Sequence, residues 1–201
     1  MIDVALATED ELSEAMGKRL LAETAGKLNP SLLFRRGGFG YLLANIDKWC
    51  VLAQRIPVLL LTDLDRTRCP KKLLEQWLGE RERPDDFVLR VAVRETESWL
   101  LADHVAMRQL LGPRGRLPLD PDSLPEPKSF LLGLARSATK EVRDDLVARR
   151  GAIASQGIGY NARLSVFVQT AWNPERAAQR SNSLSRTRAR LSELALRHEK
   201  P

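Results

Sequence analysis

The sequence predicts an α/β protein: a mostly parallel sheet flanked by helices, followed by a helical C-terminal extension. Three observations carry that expectation. Short apolar runs at residues 2–8, 56–62 and 87–93 read as strands, and segments with apolar residues at helical spacing separate and follow them. The run 56–62 is apolar almost throughout, which suits a strand covered on both faces. Strands that alternate with helices imply right-handed crossovers and a three-layer arrangement.

Each element has its own signal. Residues 2–8 end in a polar cluster and form the first strand. Residues 11–27 carry Leu12, Ala15, Met16, Leu20 and Leu21 on one helical face, and Leu28-Asn29-Pro30 reads as the stop. Residues 35–38 (Arg-Arg-Gly-Gly) form a loop. A second helix over 41–55 aligns Leu42, Leu43, Ile46, Trp49, Cys50 and Ala53. The strand 56–62 follows, then a helix over 70–78 with Pro70 in its first turn. Residues 79–86 are charged and loop-like. The strand 87–93 runs directly into a helix that includes Trp99 to Leu101.

Five prolines between Gly112 and Pro127 mark a boundary. The expected organisation is an α/β domain over 1–112, a proline-rich connector over 113–127 and a helical extension over 128–201 packed on the first domain. Helices are expected there at 128–138, 140–150, 162–172 and 184–196.

The chain has 201 residues, long enough for a substantial core, and a formal net charge of +6. This composition excludes an acidic disordered tail, a collagen-like repeat and a disulfide scaffold. Cys50 and Cys69 are too few and too far apart for a metal knuckle and read as small half-buried residues. No run approaches a bilayer span, and residues 1–4 lack the basic and apolar regions of a signal peptide, so no membrane partner and a cytoplasmic location are expected. The charge is unevenly spread. Acids slightly outnumber bases up to Asp103, and bases clearly outnumber acids from His104 on. That layout suits cation binding in front and a polyanion grip behind, or simply a solvated, arginine-rich helical surface.

Acids also follow all three strands: Glu9, Asp10 and Glu11 after the first, Asp63 and Asp65 after the second, Glu95 and Glu97 after the third. In a parallel sheet, ligands gather beyond the carboxyl ends of the strands. Clustered carboxylates repel unless a cation neutralises them, and hard oxygen donors suit Mg²⁺ or Mn²⁺. Such a cation is common equipment for phosphodiester hydrolysis. A lone Asp-x-Asp is as readily a helix cap with a loop-bonding partner. Acids at two further strand ends favour the metal reading here.

The strand-end acids resemble the Toprim domain of primases, topoisomerases and OLD-type nucleases, which places a Glu after its first strand and an Asp-x-Asp after a later one around Mg²⁺. More closely, the chain is similar to small bacterial Toprim-like proteins of uncharacterised function, often encoded beside an ATPase. Residues 91–103 (Val-Ala-Val-Arg-Glu-Thr-Glu-Ser-Trp-Leu-Leu-Ala-Asp), 159–164 (Gly-Tyr-Asn-Ala-Arg-Leu), 172–178 (Trp-Asn-Pro-Glu-Arg-Ala-Ala) and 181–184 (Ser-Asn-Ser-Leu) carry that likeness. The resemblance implies Glu9, Asp63 and Asp65 as metal ligands, with Glu97 or Glu95 assisting. Family members often have Gly after the first Glu, where this chain has Asp10. Non-Gly residues tolerate positive φ poorly, so a differently shaped loop is expected and Glu11 stays open as an alternative to Glu9. OLD-type nucleases imply a basic residue from beyond the sheet. Lys140 is the chosen candidate, with Arg143 on the same helical face and Lys128 before them.

The function this implies is a Mg²⁺-dependent phosphodiesterase, an endonuclease with DNA favoured over RNA, in an ATPase-linked phage-defence setting. The alternative is a non-catalytic partner subunit docked on an ATPase. Other signals weigh less. His104 and His198 are far apart and lack partners for a zinc site or a triad. Gly37-Gly38-Phe39-Gly40 lacks the ending of a nucleotide loop. Trp49, Trp77, Trp99 and Trp172 read as core residues. Arg186, Arg188 and Arg190 do not share one helical face.

Overall fold

The computed structural model describes residues 1–35 and 37–199. Arg36 of the expected loop, and Lys200 and Pro201 of the expected extension, lie outside the described residues. Four strands, β1 (Ile2–Thr8), β2 (Leu28–Arg35), β3 (Val58–Asp63) and β4 (Phe87–Ala92), form one parallel sheet in the order β2-β1-β3-β4. Among the described residues eleven α-helices flank it. These are α1 (Glu11–Ala22), α2 (Gly38–Ala44), α3 (Ile46–Ala53), α4 (Pro70–Leu78), α5 (Glu97–Ala102), α6 (His104–Leu111), α7 (Pro127–Ala135), α8 (Lys140–Leu146), α9 (Tyr160–Thr170), α10 (Pro174–Ala178) and α11 (Asn182–Arg197). The parallel α/β fold is as the sequence predicts, and it fits a Toprim-like fold.

The alternation of side chains along each strand builds two cores. Val4 and Leu6 of β1, Leu59 and Leu61 of β3 and Val88 and Ala92 of β4 face one side, where α1, α5 and the C-terminal helices cover them. Ala5, Ala7, Val58, Leu60, Phe87 and Leu89 face the other, against Leu42, Trp49, Leu73 and Trp77 of α2, α3 and α4. Both faces of the two central strands are therefore apolar, which is why β3 reads as a continuous run.

Several expectations are corrected. Leu28-Asn29-Pro30 does not merely end a helix; it opens β2. Proline has no N–H to give a ladder, so it belongs on an edge strand or at a bulge. Pro30 has both: β2 is an edge, and the register with β1 slips by one residue just after Val4↔Pro30. The helix expected over 41–55 is two helices broken at Asn45, whose side-chain amide donates to the Tyr41 carbonyl at 2.8 Å and competes with the helical ladder. A helix expected to start soon after Ala92 starts only at Glu97, and the Thr96 N–H at its head donates to Asp63. His104 follows α5 and opens α6, its Nε2 2.8 Å from the Pro118 carbonyl oxygen. Short α10 was not expected at all; Asn173 caps it and Pro174 opens it.

The C-terminal helices are tied into the first half by buried polar bonds. Trp99 Nε1 donates to Ser183 Oγ at 2.7 Å, and Trp172 Nε1 donates to the Trp99 carbonyl at 3.0 Å. Asp103, fully buried, accepts from Arg176 Nε at 2.9 Å and Nη2 at 2.8 Å, and from the Asn173 N–H at 2.8 Å. All four tryptophans are buried, as expected. No helix among the described residues is long and apolar enough to cross a membrane.

Candidate metal and phosphate site

The carboxyl ends of β1, β3 and β4 lie side by side, because these three strands are neighbours in the sheet. Glu9 follows β1 and reaches across to β3: its Oε1 accepts from Thr62 Oγ1 at 2.5 Å and from the Asp63 N–H at 3.0 Å. Asp63 ends β3 and reaches across to the segment after β4, its Oδ1 accepting from the Thr96 N–H at 2.9 Å. Each carboxylate thus binds the backbone of the next strand outward, and the three ends are laced together.

Electrostatically this corner is under tension. Burial pushes the Asp63 carboxyl well above the usual range, and Glu97, Glu9, Asp10 and Asp65 add to the rise. Burial likewise raises Glu9 against the two hydrogen bonds that favour its charge. Glu95 is raised by burial and by Glu97. Acids raised together by burial and by one another mark a candidate functional site.

Asp10 settles the loop geometry that Gly would occupy in the resembling family. Its φ of −146° is extended, a conformation open to any residue. Its side chain accepts from the Ser13 N–H at 2.8 Å, and Ser13 Oγ accepts in return from the Asp10 N–H at 3.0 Å. This capping box starts α1 directly after Glu9 and so fixes where Glu9 leaves the strand. Glu11 lies exposed in the first turn of α1. Of the two alternatives, Glu9 is the one brought to Asp63.

Asp65 adopts φ of +48°, in the left-handed region, and its side chain is exposed. Its backbone is well held: the N–H donates to the Arg94 carbonyl at 2.8 Å, and its carbonyl accepts from Arg94 Nη1 at 3.0 Å. Asp65 lines an open cavity with Phe39, Arg66 and Thr67.

Glu97 opens α5 and is only 2% exposed. Its Oε1 accepts from the Tyr160 hydroxyl at 2.7 Å and lies 3.4 Å from Lys128 Nζ. Glu95 Oε2 accepts from the Lys128 N–H at 2.7 Å. Lys128 Nζ also sits 5.6 Å from the centre of the Tyr160 ring. Three groups from α7 and α9 therefore close on the two acids after β4. Glu97, Glu95 and Asp10 raise the ammonium pKa of Lys128 against the effect of burial. Burial and Glu97 push the Tyr160 phenol up, so it stays a neutral donor.

The basic residue brought to the acids is thus Lys128. Lys140 lies exposed at the head of α8. Tyr160 is a member of this site that the sequence did not single out; it stood inside a quoted segment, but only the fold shows that it meets Glu97.

No three His, Cys, Asp or Glu groups among the described residues are gathered into a ready ligand cage. Such a cage is what a structural Zn²⁺ or a Ca²⁺ site needs. Mg²⁺ is commonly held by one or two carboxylates, with water and substrate phosphate completing its shell. Glu9 and Asp63 offer oxygen donors only, the kind a hard cation takes. Set against family models, curated proteins and solved structures, the chain matches none.

Proposed function

We propose that this chain is a Mg²⁺- or Mn²⁺-dependent phosphodiesterase of Toprim type acting on nucleic acid, DNA before RNA. The observation that carries the reading is the meeting of Glu9 and Asp63 at adjacent strand ends, with Asp63 pushed up by burial and four neighbouring acids. Glu9 and Asp63 would hold the cation, with Asp65 as the exposed third acid on the substrate side. When bound, the cation supplies charge neutralisation at the phosphoryl oxygens and at the leaving oxygen.

The chain's own groups have separate tasks. Thr62 Oγ1 and the Asp63 N–H fix one oxygen of Glu9, and the Thr96 N–H fixes one oxygen of Asp63. Glu97 holds Lys128 and Tyr160, so that the Lys128 ammonium stays charged and close to the acids. A fixed cation at this position would orient a phosphate and offset its charge without moving in the reaction. Lys128 is then the candidate for the basic residue from beyond the sheet, in place of Lys140.

Plasmid DNA incubated with Mg²⁺ or Mn²⁺ tests the reading. We expect nicking by the wild-type chain, loss of about 10²-fold or more in Asp63→Ala, and a comparable loss in Lys128→Ala. Lys140→Ala should cleave as wild type. Unchanged cleavage in Asp63→Ala would overturn the assignment.

A further inference from the structure

The segment between α8 and α9, residues 147–159, has no part in the metal site. Its base is closed twice: the Gly157 N–H donates to the Leu146 carbonyl at 2.8 Å, and Val147 bridges Gln156 in antiparallel register. Beyond that base the chain turns back tightly. The Ala152 N–H donates to the Arg149 carbonyl at 3.0 Å, and Gly151, third of the four turn residues, takes the φ of +88° that a type II turn requires there. The segment is therefore a compact arm on a fixed base.

The arm carries positive charge and an apolar tip. Every residue from Arg149 to Ser155 is exposed, and Ile153, between Ala152 and Ala154, is fully so. An apolar tip held out in water gains nothing for the folded chain, and with a polar rim it marks a contact surface. Residues 147–159 hold Arg149 and Arg150 and no acid. Among the described residues neither arginine pairs with a carboxylate. The acids of neighbouring α8 are taken elsewhere: Glu141 and Asp145 by Arg163, and Asp144 by Arg143.

We propose that this arm enters the minor groove of duplex DNA, with Arg149 and Arg150 on phosphates and Ile153 as a wedge between base steps. The proposal rests on the nucleic-acid reading of the metal corner and names the form of the substrate. An apolar residue inserted from a narrow, cation-flanked loop unstacks a step and kinks the duplex by roughly 20–90°. A single strand is held instead by stacking on aromatic rings, and residues 147–159 contain none. One isoleucine between two alanines is too little apolar surface to hold the chain on a bilayer. Position argues the same way. The second leg of the arm runs through Gly157 to Tyr160, whose hydroxyl donates to Glu97 at 2.7 Å, with Lys128 Nζ 3.4 Å from the same oxygen. A duplex on the arm thus lies beside the strand-end acids.

A fluorescein-labelled duplex of about 20 base pairs is the probe, with binding to the full chain read by anisotropy in EDTA and bending by energy transfer between dyes at the duplex ends. We expect Arg149→Ala with Arg150→Ala to weaken binding at least about fivefold and to lower the salt slope by about 2. Ile153→Ser keeps the charge, so it should retain the wild-type salt slope and lose most of the rise in energy transfer. All three positions are exposed, which leaves folding intact. The idea is overturned by no duplex binding at low salt, by arginine variants that bind as wild type, or by equal bending with Ile153→Ser. It is also overturned by an oligothymidylate that binds more tightly than the duplex, or by phosphatidylserine vesicles that capture the chain through Ile153 while the duplex does not bind. No divalent cation is present, and Asp63→Asn should bind and bend the duplex as wild type does. Failure of the arm with cation-dependent cleavage intact strikes the arm alone, and lost cation binding with the duplex still bent strikes the metal site alone.

Discussion

Asp63 ties the fold to its proposed chemistry, since one carboxylate both joins β3 to the segment after β4 and gathers repulsion from Glu97, Glu9, Asp10 and Asp65. A carboxyl raised above its unfolded value binds protons more tightly in the folded state. Stability therefore falls as pH rises from the ordinary carboxylate range through the raised value, and stays lower above it. Asp63→Asn keeps an acceptor for the Thr96 N–H and removes the ionisation. We expect it to raise Tm near neutral pH by about 2–4 °C, the shift that ~1 kcal/mol makes in a chain of this size, with the gain vanishing in acid. Millimolar Mn²⁺ should raise the Tm of the wild type and leave that of Asp63→Asn unmoved. Thermal unfolding followed by circular dichroism, with and without the cation, checks both outcomes.

The residues of this corner were partly legible in the sequence. Glu9, Asp63 and Glu97 stand at strand and helix boundaries that an apolar pattern exposes. Lys128 and Tyr160 were not legible as partners of Glu97, because 31 and 63 positions of chain separate them from it and no local spacing encodes the contact. Asp10, legible in the sequence only as a departure from Gly, is an extended helix cap whose reciprocal bonds with Ser13 carry the chain from Glu9 into α1.

At the scale of elements, the loop between α8 and α9 is closed by a contact that only glycine permits. A Cβ on Gly157 would stand 2.2 Å from the Asp145 carbonyl oxygen, and its N–H donates to the Leu146 carbonyl at 2.8 Å. That approach sets the start of α9 and with it Tyr160. Gly157→Ala is expected to cost about 1–3 kcal/mol, read from chemical denaturation, and to weaken the hold on Glu97. Strand β2 was the element the sequence hid. Its exposed Leu32 and Leu33 break the alternation of a half-buried strand, and Pro30 imitates a helix stop. The helices after Pro127 were legible as helices; α8 starts at Lys140 as expected but ends at Leu146, and the Ser181 cap starts α11 at Asn182, two residues before the expected start.

For the molecule as a whole, the boundary suggested by the prolines is not a boundary in the core. One apolar cluster runs from Val4 of β1 to Leu194 of α11, and Asp103 with Arg176 locks α5 and α6 to α10. The whole chain should therefore unfold in a single cooperative transition by calorimetry; two separated transitions would contradict the shared core. Arg176→Ala leaves the buried Asp103 without its cation and should cost about 3–5 kcal/mol. The uneven charge of the sequence also finds a place. The strand-end acids are met from the basic half by Lys128, while Arg186 and Arg190 face the β4 edge instead.

As proposed, Glu9 and Asp63 would hold a divalent cation. Crystals soaked in Mn²⁺ and measured for anomalous scattering decide this. A peak is expected between the Glu9 and Asp63 carboxylates, absent in Asp63→Asn crystals. Millimolar Mn²⁺ that leaves this corner empty in the wild type would contradict it.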